Sequence, residues 1–147
     1  MSKTQIICHF VFGTKNRRAT LRKENRRELY KYIFGILNNL GCYLIRINGI
    51  EDHVHILTEI PPTVAVSEIM KKVKQSSSHW VKETWIFPDF EGWGKGYFAV
   101  SVSPEAKEQC RQYIINQEEH HKRGNYIDEM KVMVEELGMN WYEDEWV

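Results

Sequence analysis

Three features of this sequence predict an α+β fold, a split βαβ antiparallel sheet with helices on one face and extra C-terminal helices. Short β-branched and aromatic runs alternate with longer stretches of helical periodicity. Turn formers mark the changes between them. The resulting order is β-α-β-β-α-β followed by two helices, the ferredoxin-like arrangement. In that topology strands one and three lie side by side at the centre.

Each element has its own local reason. Residues 5–13, Gln-Ile-Ile-Cys-His-Phe-Val-Phe-Gly, form an apolar run suited to a buried first strand, and Thr14-Lys15-Asn16-Arg17-Arg18 follows as a basic loop. Between Leu21 and Leu40 the apolar positions Leu29, Ile33, Ile36, Leu37 and Leu40 fall on one helical stripe, with Gly41 as its stop. Tyr43–Ile50 and the run through His53-Val54-His55-Ile56-Leu57 to Ile60 read as two strands, joined tightly around Asn48-Gly49 and ended by Pro61-Pro62. From Val64 to Trp85 the period is helical again, with Ser67 as an N-cap or first-turn residue. Residues 88–96 read as a loop, and Tyr97–Val102 as a fourth strand. Ser103-Pro104-Glu105 opens a helix with a cap, a proline at its first position and an acid in its first turn; the helix runs to about His121 or Lys122. A last helix spans roughly Ile127 to Leu137, and an acidic-aromatic tail begins near residue 139.

A chain of 147 residues suits one domain, residues 1–147, with a real core. Hydrophobic residues at 42% and charged residues at 27% are ordinary for a soluble protein. No apolar run reaches membrane-spanning length, and the first residues lack a signal peptide's apolar region, so the expected setting is the cytoplasm with no membrane partner. Cys8, Cys42 and Cys110 are odd in number and have no CxxC spacing, which argues against a disulfide framework or a cysteine zinc site. They read as small buried hydrophobes.

A formal net charge of zero gives no support to a nucleic-acid partner, but the charges are segregated. Lys15, Arg17, Arg18, Arg22, Lys23, Arg26, Arg27 and Lys31 face only Glu24 and Glu28 between residues 15 and 31. Asp128, Glu129, Glu135, Glu136, Glu143, Asp144 and Glu145 face only Lys131 near the C-terminus. A bound phosphate responds to the local field, not to the total. A solvated helix face explains the basic run equally well.

The chemistry centres on His53 and His55. Side chains two apart on a strand share a face, so the two imidazoles project together while Val54 points the other way. Two imidazoles on a rigid strand begin a divalent-metal site but need a third donor. Further along, Tyr113 and Gln117 are four apart on the helix after Pro104 and stack on one face. A tyrosine hydroxyl can attack phosphorus that a metal polarises, and a glutamine carbonyl oxygen can serve as the third ligand. Packing remains the plainer reading of a lone helical tyrosine. His9, His79, His120 and His121 need no role, although His120 or His121 falls near Gln117 in sequence. The tryptophans Trp80, Trp85, Trp93, Trp141 and Trp146 read as packing or interface residues.

Taken together, the pieces resemble the single-tyrosine transposases of the His-hydrophobic-His (HUH) nuclease superfamily, the small TnpA-type enzymes of insertion sequences. The matching stretches are His9 to Arg17, Asp52-His53-Val54-His55-Ile56-Leu57, Ile60-Pro61-Pro62, Ser67 to Lys74, Trp93 to Phe98 and Tyr113-Ile114-Ile115-Asn116-Gln117. They run in the family's order and cover the chain to about residue 123.

The resemblance implies roles. His53, His55 and Gln117 would hold Mg²⁺ or Mn²⁺, and Tyr113 would be the nucleophile. It would attack single-stranded DNA at hairpin-bearing element ends, leaving a 5′-phosphotyrosine and a free 3′-hydroxyl, and a 3′-hydroxyl would rejoin the strands. Members are homodimers in which the tyrosine helix often completes the partner's histidine site, and Tyr97 to Val102 is a strand that could pair across an interface. Lys15, Arg17, Arg18, Lys71, Lys72 and Lys74 are candidate DNA-backbone contacts. The tail from Met139 to Val147 lies beyond the matching stretches, and its acidic-aromatic composition suits a dimer contact or a cover over the active site. Three other readings compete: a domesticated nuclease acting on repeated genomic hairpins, a non-catalytic ferredoxin-like nucleic-acid-binding module, and a metal-dependent hydrolase using activated water.

Overall fold

Strand β1, Ile6–Gly13, is buried along nearly its whole length, as its continuous apolar sequence requires of a central strand. A computed structural model describes residues 1–146, the side chains of Arg123 and Trp146 excepted, so the expectations placed on the Trp146 side chain and on Val147 lie outside the described residues. Helix α1, Lys23–Asn39, follows, then β2, Tyr43–Gly49, and β3, His53–Ile60. Helix α2, Val66–Thr84, leads to β4, Phe98–Val102. Three helices close the chain: α3, Lys107–Ile115, α4, Gln117–Arg123, and α5, Tyr126–Glu136. The sheet order is β2-β3-β1-β4 with all neighbours antiparallel, which is the predicted ferredoxin-like topology with strands one and three at its centre.

Directly opposed residues share a face, so the register sorts the side chains. Val11 pairs with His55, Gly13 with His53 and His9 with Leu57. Cys8, Phe10, Phe12, Val54 and Ile56 therefore point to the other face, where they form the main core with Leu29, Ile33 and Leu37 of α1 and Ile69, Met70 and Val73 of α2. The site face carries Ile7, His9, Val11, His53, His55 and Leu57. Helices α3 and α5 cover it through Ile114 and through Tyr126, Met130 and Val134.

Two glycines shape the connections. A Cβ on Gly49 would stand 2.3 Å from the carbonyl oxygen of His53, so only glycine permits the tight β2–β3 link. Gly41, at φ +82°, ends α1 in the left-handed conformation, as its position predicts.

Of the two places offered to Ser67, the structure gives the first turn of α2, since Ala65 occupies the N-cap, without a side-chain cap. The structure departs from the sequence reading further on. The helix predicted from Pro104 to about residue 122 is interrupted. Ser103 caps its opening 3₁₀ turn by accepting from the Ala106 amide, but the helix breaks at Asn116. The Asn48 side-chain amide donates to the carbonyls of Ile114 and Ile115 at 2.9 and 3.2 Å, which gives α3 a C-terminal cap from the sheet.

Candidate active site

The register brings His53 and His55 to one face of β3 with both imidazoles fully buried. Each side chain then has a partner at Nδ1. Asp52 Oδ1 lies 2.8 Å from His53 Nδ1; a carboxylate only accepts, so His53 carries a proton there. On the neighbouring strand, His9 Nε2 lies 2.8 Å from His55 Nδ1. Both Nε2 atoms turn towards the helical layer.

Donor atoms of four side chains gather at that point. Gln117 Oε1 is 3.2 Å from His53 Nε2. Glu129, on α5, sets Oε2 at 3.6 Å from His53 Nε2 and Oε1 at 3.3 Å from His55 Nε2. Donors held 2.0–2.1 Å from an octahedral cation lie about 3 Å apart, so these separations suit one ion after slight contraction. The His55 Nε2 atom is buried and, with Glu129 Oε1 at 3.3 Å, has no partner in hydrogen-bonding geometry. His53, His55 and Glu129 form a group with ligand atoms within 4.8 Å of one another. Two imidazoles, an amide oxygen and a carboxylate fit a hard or borderline divalent cation.

Tyr113, at the end of α3, donates its hydroxyl to Glu129 Oε1 and approaches Met133 Sδ at 3.6 Å. Its ring meets His55 edge-on at 5.6 Å and His120 at 4.5 Å. Tyr113 and Gln117 thus converge on the histidines from two helices, not from one helical face as their spacing predicts. The Gln117 amide also donates to Glu129 Oε1 at 3.3 Å. Tyr126 stacks on His53 at 4.2 Å.

Burial sets the electrostatics. Desolvation, reinforced by His55, lowers His9 to about 3, and desolvation with the His53 charge lowers His55 to about 4; both rings are neutral near pH 7. Burial would lower His53 too, but the hydrogen bonds and charges of Asp52 and Glu129 raise it above its ordinary value. Burial opposes ionisation of Glu129, yet the imidazoles of His53 and His55 beside it hold its carboxyl well below the usual carboxylate range. Tyr113 is raised by burial and by the Glu129 charge beside it. The hydroxyl is therefore protonated at rest and hydrogen-bonded to an acceptor.

Glu129 and His9 are the residues the sequence reading missed. Glu129 lies in an acidic segment that read as surface charge. His9 is two residues from Val11, and only the β1–β3 register shows that Val11 opposes His55.

The candidate DNA contacts scatter. Asn16 and Arg17 both adopt positive φ, 56° and 57°, in the basic loop. Arg17 lines an open pocket with Gly13, Thr14, Lys95, Tyr97 and Tyr126, and Asp144 and Glu145 of the tail lie on its wall. Arg18 pairs with Glu91. Lys74 does not reach outward: its ammonium donates to the carbonyls of Gly94, Lys95 and Gly96 at 2.7, 3.2 and 3.0 Å, holding that loop in place. Lys15, Lys71 and Lys72 are exposed. Of the tryptophans, Trp93 packs edge-on against Phe12 and Phe90, Trp80 stacks on Tyr32, and Trp141 packs against the cluster formed by Val11, Phe98, Tyr126, Met130 and Val134. Trp85 is 73% exposed and serves no packing role within the described chain.

Among the described residues no helix is long and apolar enough to cross a membrane. The family model for IS200-like transposases matches residues 2–117. The transposases of insertion sequence element IS200 from Salmonella typhimurium and Salmonella typhi are each 28% identical to this chain over 124 residues, covering 81% of it and 81% of each relative. Among solved structures, a protein of Deinococcus radiodurans R1 provisionally described as a transposase superposes with a TM-score of 0.64 at 25% identity, over 79% of this chain and 93% of its own. The REP-associated tyrosine transposase bound to a REP hairpin superposes with a TM-score of 0.63 over 82% of this chain and 74% of its own; at 15% identity it speaks for the fold alone. A sheet that buries a His-x-His pair beneath a tyrosine, and a family match across four-fifths of the sequence, agree: the chain belongs to the IS200-like transposases, the single-tyrosine branch of the HUH superfamily.

Proposed function

We propose that this chain cleaves and rejoins single-stranded DNA through Tyr113, with Mg²⁺ or Mn²⁺ held by His53, His55 and Gln117 and by the carboxylate of Glu129. One observation carries the reading: the Tyr113 hydroxyl and the two histidine Nε2 atoms converge on the same carboxylate.

A cation bound among these donors supplies charge stabilisation and orientation to the scissile phosphate. The protein's own groups do the rest. Asp52 and the strand hold His53, and Gln117 is held in turn by its bond to Glu129. Tyr113 Oη forms a bond to phosphorus as the bond from phosphorus to the 3′ oxygen breaks. The hydroxyl proton passes towards Glu129 Oε1, its acceptor at rest, and the departing 3′ oxygen takes up a proton to end as a hydroxyl. One phosphate ester replaces another, so the reverse attack by a 3′-hydroxyl rejoins the strand without an external energy source.

The substrate reading, DNA with hairpins at element ends, draws on the family and on the hairpin bound by the structural neighbour. Lys15, Arg17, Arg18, Lys71 and Lys72 remain the proposed backbone contacts; Lys74 acts through the 94–96 loop. We further infer one domain over residues 1–147, a cytoplasmic setting and a homodimer with β4 at or near its interface, since β4 is an edge strand.

The test incubates the protein with hairpin-bearing single-stranded oligonucleotides from the element ends and Mn²⁺ or Mg²⁺, then seeks a covalent adduct by denaturing gel and mass spectrometry. The expected result is an adduct at Tyr113 that needs metal and is reduced at least about 10³-fold in Tyr113→Phe. Cleavage that persists in Tyr113→Phe overturns the nucleophile and favours metal-activated water. Tight binding with neither adduct nor cleavage favours a non-catalytic binding module.

A further inference from the structure

His9 sits in the middle of β1 at 2% exposure, flanked on its own face by Ile7 and Val11. An aliphatic side chain would fill that position without the loss of hydration that a buried imidazole carries. What the histidine adds is one contact: Nε2 at 2.8 Å from His55 Nδ1, with the rings stacked at 5.1 Å. The β1–β3 register explains the reach, since His9 opposes Leu57 and is therefore the diagonal neighbour of His55 on the same face.

A hydrogen bond between two imidazoles needs one donor and one acceptor. If His9 donated, His55 would carry its own proton on Nε2, the atom that points at the shared donor cluster with Glu129 Oε1 at 3.3 Å, and a cation would have to displace that proton. If His9 accepts, His55 carries the proton on Nδ1 and its Nε2 lone pair is free. The other histidine has the same arrangement, with Asp52 as an obligatory acceptor at Nδ1. Metal-ligating histidines depend on such partners for their tautomer and ring orientation.

We propose that His9 is a positioning residue that accepts the Nδ1 proton of His55, baring the His55 Nε2 lone pair towards the point it shares with His53 and Glu129. The two ligands are thereby oriented by different means, His53 by a charged carboxylate and His55 by a neutral ring. This inference rests on the reading of that point as a cation site.

The experiment uses full-length protein, selectively ¹⁵N-labelled at histidine, with Mn²⁺ affinity by calorimetry and long-range ¹H–¹⁵N spectra of the Mg²⁺-loaded form. In the wild type, His9 is expected as the Nδ1–H tautomer with a bare Nε2, and the His55 Nδ1 proton is expected far downfield. His9→Phe is expected to weaken Mn²⁺ binding about 10–100-fold, the usual effect of removing such a partner. His9→Gln, whose amide oxygen also accepts, is expected to recover most of that affinity. A wild-type His9 in the Nε2–H tautomer overturns the proposal, as does a folded His9→Phe that binds Mn²⁺ within twofold of wild type. The wild-type spectra decide the matter even if His9→Phe does not fold. Wild-type protein that takes up neither ion at millimolar concentration overturns the cation reading itself, and this inference with it; a failure confined to the His9 results overturns this inference alone.

Discussion

The two faces of the sheet spend burial differently. Under α1 and α2 the strands present Phe10, Phe12, Val54 and Ile56, apolar groups whose removal from water drives folding and which need only shape. Under α3 and α5 the same two central strands present His9, His53 and His55, as deeply buried, which need partners at every nitrogen. The strand backbone is shared, so parity alone separates the face that packs the main core from the face that gathers the candidate site. A one-residue shift of β3 would exchange them.

The contrast is sharpest in a pair of substitutions. Phe12→Ala, at a fully buried position packed edge-on against Trp93, is expected to lower stability by about 3–5 kcal/mol, read as a shift in the denaturant midpoint. Glu129→Gln, by contrast, is expected to leave that midpoint within about 1 kcal/mol while weakening Mn²⁺ about 10–100-fold by calorimetry. If Glu129→Gln destabilised the protein as much as Phe12→Ala, or left Mn²⁺ binding unchanged, the division between the faces would fail.

Proton competition provides the second comparison. The raised value of His53 means that its proton stabilises the metal-free fold fully below about 6.5, and that this contribution is lost as pH rises through the folded value. A cation must displace that proton from Nε2. Mn²⁺ affinity should therefore climb about tenfold per pH unit from 6 upward and level off once His53 is neutral. Calorimetry in buffers of different ionisation heat should find about one proton released. A flat profile across neutral pH would mean that His53 is not a ligand.

The smallest expected effect concerns the tail, where Asp144 and Glu145 share a pocket with Arg17 and Lys95. Truncation after Gly138 removes like charges from the path of a phosphate backbone, and hairpin affinity is expected to rise about twofold to fivefold at low salt, the range of exposed ionic contacts. The gain should fade as salt screens it. Weaker DNA binding after truncation would make the tail part of the binding surface.

Much of this was legible in the sequence because the signals are local. The alternation in β3 put the two histidines on one face, and the Ser103-Pro104 start placed the helix that carries Tyr113. The sequence reading could not reach what depends on register and on helices meeting across space. His9 and His55 are 46 residues apart, and their contact exists only because Val11 falls opposite His55. Glu129 belongs to a run of acids like its solvent-facing neighbours until α5 docks it through Met130 and Val134. Lys74 read as a phosphate contact because nothing in its helix shows the three carbonyls of the 94–96 loop above it. The predicted single helix through Tyr113 and Gln117 failed for the same reason, since the residue that caps it is on β2.

That residue, Asn48, has a consequence for precision. It stands directly across the sheet from His55, and its amide grips the last carbonyls of the helix that delivers Tyr113. The proposed nucleophile and the proposed metal-binding imidazole are thus both dimensioned from a single cross-strand pair, as two parts are machined from a common datum. Errors that accumulate along residues 61–106, between β3 and α3, do not enter their separation. A chain that must meet a phosphorus within a fraction of an ångström gains its tolerance from that short reference, not from the rigidity of the whole fold.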